Sequence, residues 1–255
     1  MSEDARRQLH PATRGFREAA DLYERGRPDY PAAAVRHLVE RLELRSGRTV
    51  LDLAAGTGKL TRLLVPSGAT VLAVEPLPEM LAHLERHVPS ATALAGAAER
   101  IPLADGSVDA VTVGQAFHWF DADAALREVH RVLRPQGGLA LIWNTRDERD
   151  PVQARLSEIM EPIEHDIPRR RQCDWATVLD RCGLFEPVET TRFPHGQDVD
   201  EEGLVGRVLS TSFVAASPEP VRREIEVRVR GLAREFPPPL RLPYVTELYL
   251  AFRRA

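Results

Sequence analysis

Residues 50–64, VLDLAAGTGKLTRLL, constrain the fold more tightly than any other stretch. An apolar strand runs through a glycine turn directly into a helix. Val50, Leu51 and Leu53 supply the strand, Gly56 and Gly58 the turn, and Leu60, Leu63 and Leu64 recur at helical spacing. Glycine lets the backbone take conformations closed to other residues and approach a ligand closely. Such a turn aims backbone N–H groups at whatever sits above the strand. A second apolar strand, VLAVEP at 71–76, ends in Glu75, seventeen residues past Gly58. That is where a βαβ unit delivers the tip of its second strand, and a carboxylate there can accept from both hydroxyls of a ribose. Together the two features specify a nucleoside-containing ligand.

The turn departs from a dinucleotide fingerprint, because Thr61 stands where the third glycine of G-x-G-x-x-G would be. Asp52 lies inside the first strand, four residues before Gly56. A carboxylate that close repels a pyrophosphate and suits a cationic ligand. S-adenosylmethionine carries a sulfonium and an α-ammonium group and no phosphate. The order Asp52-x-Ala54-x-Gly56-Thr57-Gly58 therefore fits it better than NAD.

Apolar runs at 49–54, 70–75, 108–113 and 138–143 predict strands, and periodic stretches from Pro31 to about Leu44, at 58–66, 77–87 and about 122–133 predict helices. The strands lack clean polar alternation, as expected of parallel strands buried on both faces. The pattern is α/β, a doubly wound and mostly parallel sheet whose ligands bind at the carboxyl ends of the strands. Further along, helices are expected at 151–162, 172–182, 199–213 and 218–236, with strands at 184–193 and 242–254.

At 255 residues the chain can bury a full core as one domain. A net charge of −4 argues against a nucleic-acid partner. Cys173 and Cys182 have no metal-ligand spacing, so no metal is expected and both are read as reduced thiols. No apolar run reaches the about 20 residues of a membrane span. MSEDARRQLH has no apolar segment of the kind a secretion signal needs, so the expected compartment is the cytoplasm.

These residues resemble the class I S-adenosylmethionine-dependent methyltransferases, in the group that includes the quinone-biosynthesis and trans-aconitate enzymes. GAAERIPLADGSVDAVTVGQAFHWFD at 96–121 resembles the third and fourth strands and their loops. EVHRVLRPQGGLALIWN at 128–144 resembles the helix, turn and fifth strand, and YERGRPDYP at 23–31 the N-terminal segment of the trans-aconitate-like subgroup. The resemblance is continuous from about residue 16 to 145 and patchy beyond. It implies a Rossmann-like seven-stranded sheet whose last strand is antiparallel. Residues 1–30 are expected as a lid, 31–145 as the cofactor-binding half and 146–255 as the substrate-side half. The inserted helices, about 197–237, are expected as a cap over the carboxyl edge.

The resemblance also assigns roles. Gly56 and Gly58 make room for the methionine part of S-adenosylmethionine, and of its product S-adenosylhomocysteine. Asp52 orders that loop or meets the ammonium, and Glu75 holds the ribose. Pro76 and Met80 flank the adenine, Ala98 and Glu99 meet its amino edge, and Gln115 and Ala116 lie next to the methyl group. On the acceptor side stand Tyr23, Arg27 and Tyr30 of the lid, with His118 and Trp119 of QAFHWFD. Histidine titrates near neutral pH, so His118 is either a base or a binding residue. Arg146 and the run Arg169, Arg170, Arg171 add positive charge. The expected reaction is methyl transfer to a small molecule at a carboxylate or hydroxyl oxygen, by a monomer or homodimer. The competing readings are a tRNA or protein methyltransferase and a catalytically silent binder of the same cofactor.

Overall fold

A computed structural model of the chain describes residues 26–163, 174–237 and 239–254. Tyr23, Cys173 and the arginines 169–171 lie outside them. Five strands run parallel: β1 (Thr49–Leu53), β2 (Thr70–Glu75), β3 (Thr92–Ala95), β4 (Val108–Gly114) and β5 (Leu133–Arg146). Helix α1 (Ala32–Arg41) precedes them, and α2 (Thr61–Leu64), α3 (Pro78–His87) and α4 (Ala122–Val132) follow β1, β2 and β4. Then come α5 (Pro151–Met160), α6 (Trp175–Arg181), β6 (Glu189–Val199), α7 (Glu201–Leu209), α8 (Ser212–Ala215), α9 (Glu219–Ala233) and β7 (Leu240–Phe252). The sheet order is β3-β2-β1-β4-β5-β7-β6, with β7 antiparallel to both of its neighbours. Strand order reverses at β1, which has β2 on one side and β4 on the other. A crevice opens at the carboxyl ends of strands where such a reversal occurs.

Alternation along each strand divides the core between the two faces of the sheet. Leu51, Leu53, Val111, Val113, Leu139, Leu141 and Trp143 pack with α4 and with Trp175 of α6. Val50, Ala110, Ala140 and Ile142 face the other way, onto Leu38 of α1 and Leu64 of α2. With both faces covered, the first six residues of β4 are all buried, which explains the absence of alternation in the sequence. A third cluster joins α5, α7 and α9 to Leu242 and Tyr244 of β7 through Leu156, Leu204, Val208 and Val229.

The expected helices and parallel strands form, with differences that have local causes. The third strand is Thr92–Ala95, ahead of residue 96 where the resemblance began it. β5 starts at Leu133 rather than 138, because Val108 pairs with Leu133 and Ala110 with Gly138, so residues 134–137 bulge out of register. β6 lies at Glu189–Val199 rather than 184–193. It is an edge strand of mostly half-exposed residues, where Pro194 and Gly196 are tolerated because one side needs no ladder bonds. The helix expected over 199–213 breaks at Ser210 and Thr211 into α7 and α8.

Candidate active site

The carboxyl end of β1 carries the first side chain of the site. Asp52 is almost wholly buried, and it accepts from the Thr61 hydroxyl at 2.6 Å and the Thr112 hydroxyl at 3.1 Å. The residue that replaces a fingerprint glycine thus ties the start of α2 to β1, while Thr112 ties β4 to the same carboxylate. Burial pushes the Asp52 carboxyl up to about 6, against the pull of the two hydroxyls.

Glu75 closes β2 and is equally buried. Its two oxygens accept from the N–H groups of Gly56 and Leu77, each at 2.9 Å. Burial pushes it up to about 7, against those two donors, with the charge of Asp52 adding to the rise. This corrects the expectation that the turn aims its N–H groups at the ligand. Ala55 donates to Val74 O, Gly56 to Glu75 and Gly58 to Ala55 O. With those three donors turned inward, this turn is not the anion cradle of a phosphate-binding loop. The donor pattern fits a cofactor that has no phosphate.

Both carboxyls have folded-state pKa values above their unfolded ones, so the fold holds their protons more tightly. The stability this contributes is present at low pH and is lost as pH rises through about 6 and about 7. Glu75→Gln is therefore expected to flatten the fall of Tm between about pH 5 and 8 in the ligand-free protein. A thermal-denaturation series in which variant and wild type keep the same slope would remove Glu75 as its source.

The backbone above the strand ends is strained. Ala54 and Gln115 have φ of 56° and 61°, in the left-handed region that non-glycine residues avoid, and Gly56 and Gly58 have φ of 59° and 90°. Ala54 and Gln115 follow β1 and β4, the adjacent strands, and line one cleft. Such strain persists only where surrounding structure enforces it. A Cβ on Gly58 would lie 2.9 Å from Val88 Cγ2, so this glycine also serves the packing of the loop.

Residues 26–30 form a strap across these ends. Asn144, at the end of β5, donates through Nδ2 to the carbonyls of Pro28 at 3.2 Å and Asp29 at 3.3 Å. Its Oδ1 accepts from the Thr246 hydroxyl at 2.6 Å and lies 3.2 Å from His195 Nε2. The Asp29 carboxylate receives Lys59 Nζ at 2.9 Å and Arg62 at 2.8 Å. Burial pushes that carboxyl up, but Lys59 and Arg62 outweigh it and hold it below the usual range. Tyr30 is buried against Leu60, and a Cβ on Gly114 would lie 2.7 Å from its hydroxyl. On the other side, a Cβ on Gly26 would lie 2.7 Å from Gly206 O of α7.

Strap, strand ends and α7 line one cleft. Of the residues singled out in the sequence, Asp52, Ala54, Gly56, Gln115, Arg27 and Tyr30 line it together. Glu75, Pro76, Met80, Ala98 and Glu99 do not line it and sit at the neighbouring ends of β2 and β3. Met80 and Ala98 are buried, whereas Glu99 is exposed and accepts from the N–H of Asp121 at the start of α4. Ala116, His118 and Trp119 are half-buried in the turn after β4 and are not part of the cleft wall, and the His118 ring packs on Trp119 at 4.5 Å between centroids. Phe117 is core, edge-on to Trp175. Arg146, one residue pair beyond Asn144, points instead to the Met160 sulfur.

Sequence reasoning passed over Lys59, Asn144 and Arg207, all of which line the cleft. Asn144 is the polar residue that ends the apolar run LALIW, at a strand's carboxyl end. Arg207 is a charge inside the apolar stripe Leu204, Val205 and Val208 of α7. Both positions carried a signal. Among the described residues no group of side chains could hold a metal ion, and no helix is long and apolar enough to cross a membrane.

Residues 51–141 match the family described as methyltransferase domain. The chain is 45% identical over 239 residues to an uncharacterised methyltransferase of Mycobacterium tuberculosis, covering 91% of this chain and 92% of that one. It is 40% identical over 107 residues to the demethylmenaquinone methyltransferase of Beutenbergia cavernae, covering 42% of this chain and 45% of the relative. In fold it resembles the YcgJ protein of Bacillus subtilis, with a TM-score of 0.60 at 20% identity over 88% of this chain and 100% of that one.

Proposed function

The chain belongs to the class I S-adenosylmethionine-dependent methyltransferases, and on that premise we propose that it methylates a small molecule at a carboxylate or hydroxyl oxygen. The observation that carries this reading is the cleft itself: strand ends and strap line it, and Asp52 is the one carboxylate in its wall among the described residues. A concave cleft into which a few polar side chains converge, here Asp52, Gln115, Asn144 and Arg207, is the usual form of a small-molecule site.

When bound, S-adenosylmethionine supplies a sulfonium methyl group open to in-line displacement. The chain positions the partners and excludes water, which is where the protein's share of the rate arises. Asp52 sets the loop from Ala54 to Gly58 against the methionine part and offsets its positive charge. Glu75 holds the ribose; its carboxylate oxygens have lone pairs left beyond those facing Gly56 and Leu77. Pro76, Met80, Ala98 and Glu99 surround the adenine. Gln115 and Ala116 lie beside the reacting methyl, and Arg27 and Tyr30 of the strap cover the site. A carboxylate acceptor is already ionised at neutral pH and needs no base. His118 and Trp119 then order the turn or bind the acceptor rather than move a proton.

Calorimetry on the full chain tests the cofactor assignment. S-adenosylmethionine and S-adenosylhomocysteine are expected to bind, and NAD to bind poorly or not at all. NAD binding more tightly than S-adenosylmethionine would sink the proposal.

A further inference from the structure

Arg207 is 7% exposed, and its guanidinium has no carboxylate partner among the described residues. Nε donates to the Tyr244 hydroxyl at 3.0 Å, and Nη1 approaches the Thr211 hydroxyl at 3.3 Å. Both partners are neutral, and Nη2 makes no hydrogen bond to the described residues. The guanidinium also lies over the Tyr244 ring, 5.9 Å from its centroid. Arg207 lines the cleft, across which Asp52 is already engaged by Thr61 and Thr112.

Buried charges in folded proteins are paired, because an uncompensated one is costly to keep out of water. Two basic residues beside it obey this: Lys59 and Arg62 both reach Asp29. Arg207 is instead oriented by two hydroxyls and the Tyr244 ring, with no anion against it among the described residues. A guanidinium in a cleft wall matches a planar carboxylate, which its fork of donors can bind. S-adenosylmethionine brings two positive groups and one negative, so its arrival makes the cleft more positive still. A cationic acceptor would be repelled there.

We propose that Arg207 is the acceptor's anchor, and that the acceptor carries a carboxylate which pairs with this guanidinium from the open side of the cleft. The inference rests on the methyltransferase reading above and adds to it the charge of the acceptor and a specificity-determining residue supplied by α7. The cofactor's own carboxylate has the same chemistry, so the test separates the two.

The full chain, saturated with S-adenosylhomocysteine, is titrated with succinate, glutarate and citrate at constant ionic strength, and with succinamide as the neutral control. At least one acid is expected to bind wild type, succinamide is not, and Arg207→Met should lower that affinity at least tenfold. Affinity for S-adenosylhomocysteine should stay within threefold of wild type. Arg207→Met keeps the apolar stem in its pocket. If it does not fold, Arg207→Lys takes its place; a point charge without the fork should then lose affinity for the acid and retain the cofactor. Acids that fail to distinguish wild type from the variant overturn the proposal. A tenfold loss of S-adenosylhomocysteine affinity overturns it differently, by assigning the anion to the cofactor. Wild type that binds no S-adenosylhomocysteine sinks the underlying reading instead, so the two failures are told apart.

Discussion

Gly56→Val is expected to abolish measurable binding of S-adenosylmethionine while leaving a folded protein. Three effects act in the same direction. The backbone at Gly56 has φ of 59°, which a β-branched residue adopts only at a cost of about 1–3 kcal/mol. Apart from its chain neighbours, no atom of the described residues lies within 4 Å of a Cβ built there, and Gly56 lines the cleft, so the added bulk competes with the proposed cofactor for that space. Any relaxation of the turn also breaks the 2.9 Å bond from Gly56 N to Glu75 and displaces the carboxylate proposed to hold the ribose. A combined loss of about 4 kcal/mol is roughly a thousandfold in affinity. Calorimetry reads the loss and circular dichroism the fold. Gly56→Ala, with less bulk at the same φ, should lose part of the affinity. Near-native affinity in the valine variant would mean that this loop does not approach the cofactor.

The parts of the site legible in the sequence were those fixed by local chain geometry. Val50 to Leu64 states its strand, turn and helix within fifteen residues, and Glu75 falls at a strand end because βαβ units have a narrow range of lengths. What escaped depends on partners far along the chain. That Gly56 N–H turns inward is decided by a side chain nineteen residues away. Thr61 reads as a missing glycine until its hydroxyl is found on Asp52. Arg207 interrupts an apolar helical stripe, which in sequence is equally consistent with an ion pair, a stem lying along a surface, or a charge facing a cavity. β6 was misplaced for a different reason. Pro194 and Gly196 signal a break, and only the free edge of the sheet makes them acceptable.

Asn144→Ala is expected to lower turnover about a hundredfold, with a smaller loss of stability. Asn144 is the point where strap and sheet are fastened: one amide satisfies the carbonyls of Pro28 and Asp29 and receives the Thr246 hydroxyl. Removing it leaves those three groups without that partner at the end of β5. A buried polar group left unmet costs about 1–3 kcal/mol, but water entering the cleft can serve some of them, so a total of about 2–3 kcal/mol is expected. At about 2–4 °C per kcal/mol for a chain near this size, Tm should fall by roughly 4–12 °C. The larger effect is on the reaction, because the strap carries Arg27 and Tyr30 into the cleft wall. A shift of about 1 Å in groups that position reactants can cost about a hundredfold in rate. Asp29 would remain tethered by Lys59 and Arg62, so the strap should loosen rather than leave, and S-adenosylhomocysteine should still bind, with lower affinity. The informative comparison is kcat against Tm. If Tm drops as expected while kcat and cofactor affinity stay at wild-type values, the bonds to Pro28 and Asp29 only stabilise the fold, and the strap has no part in closing the site.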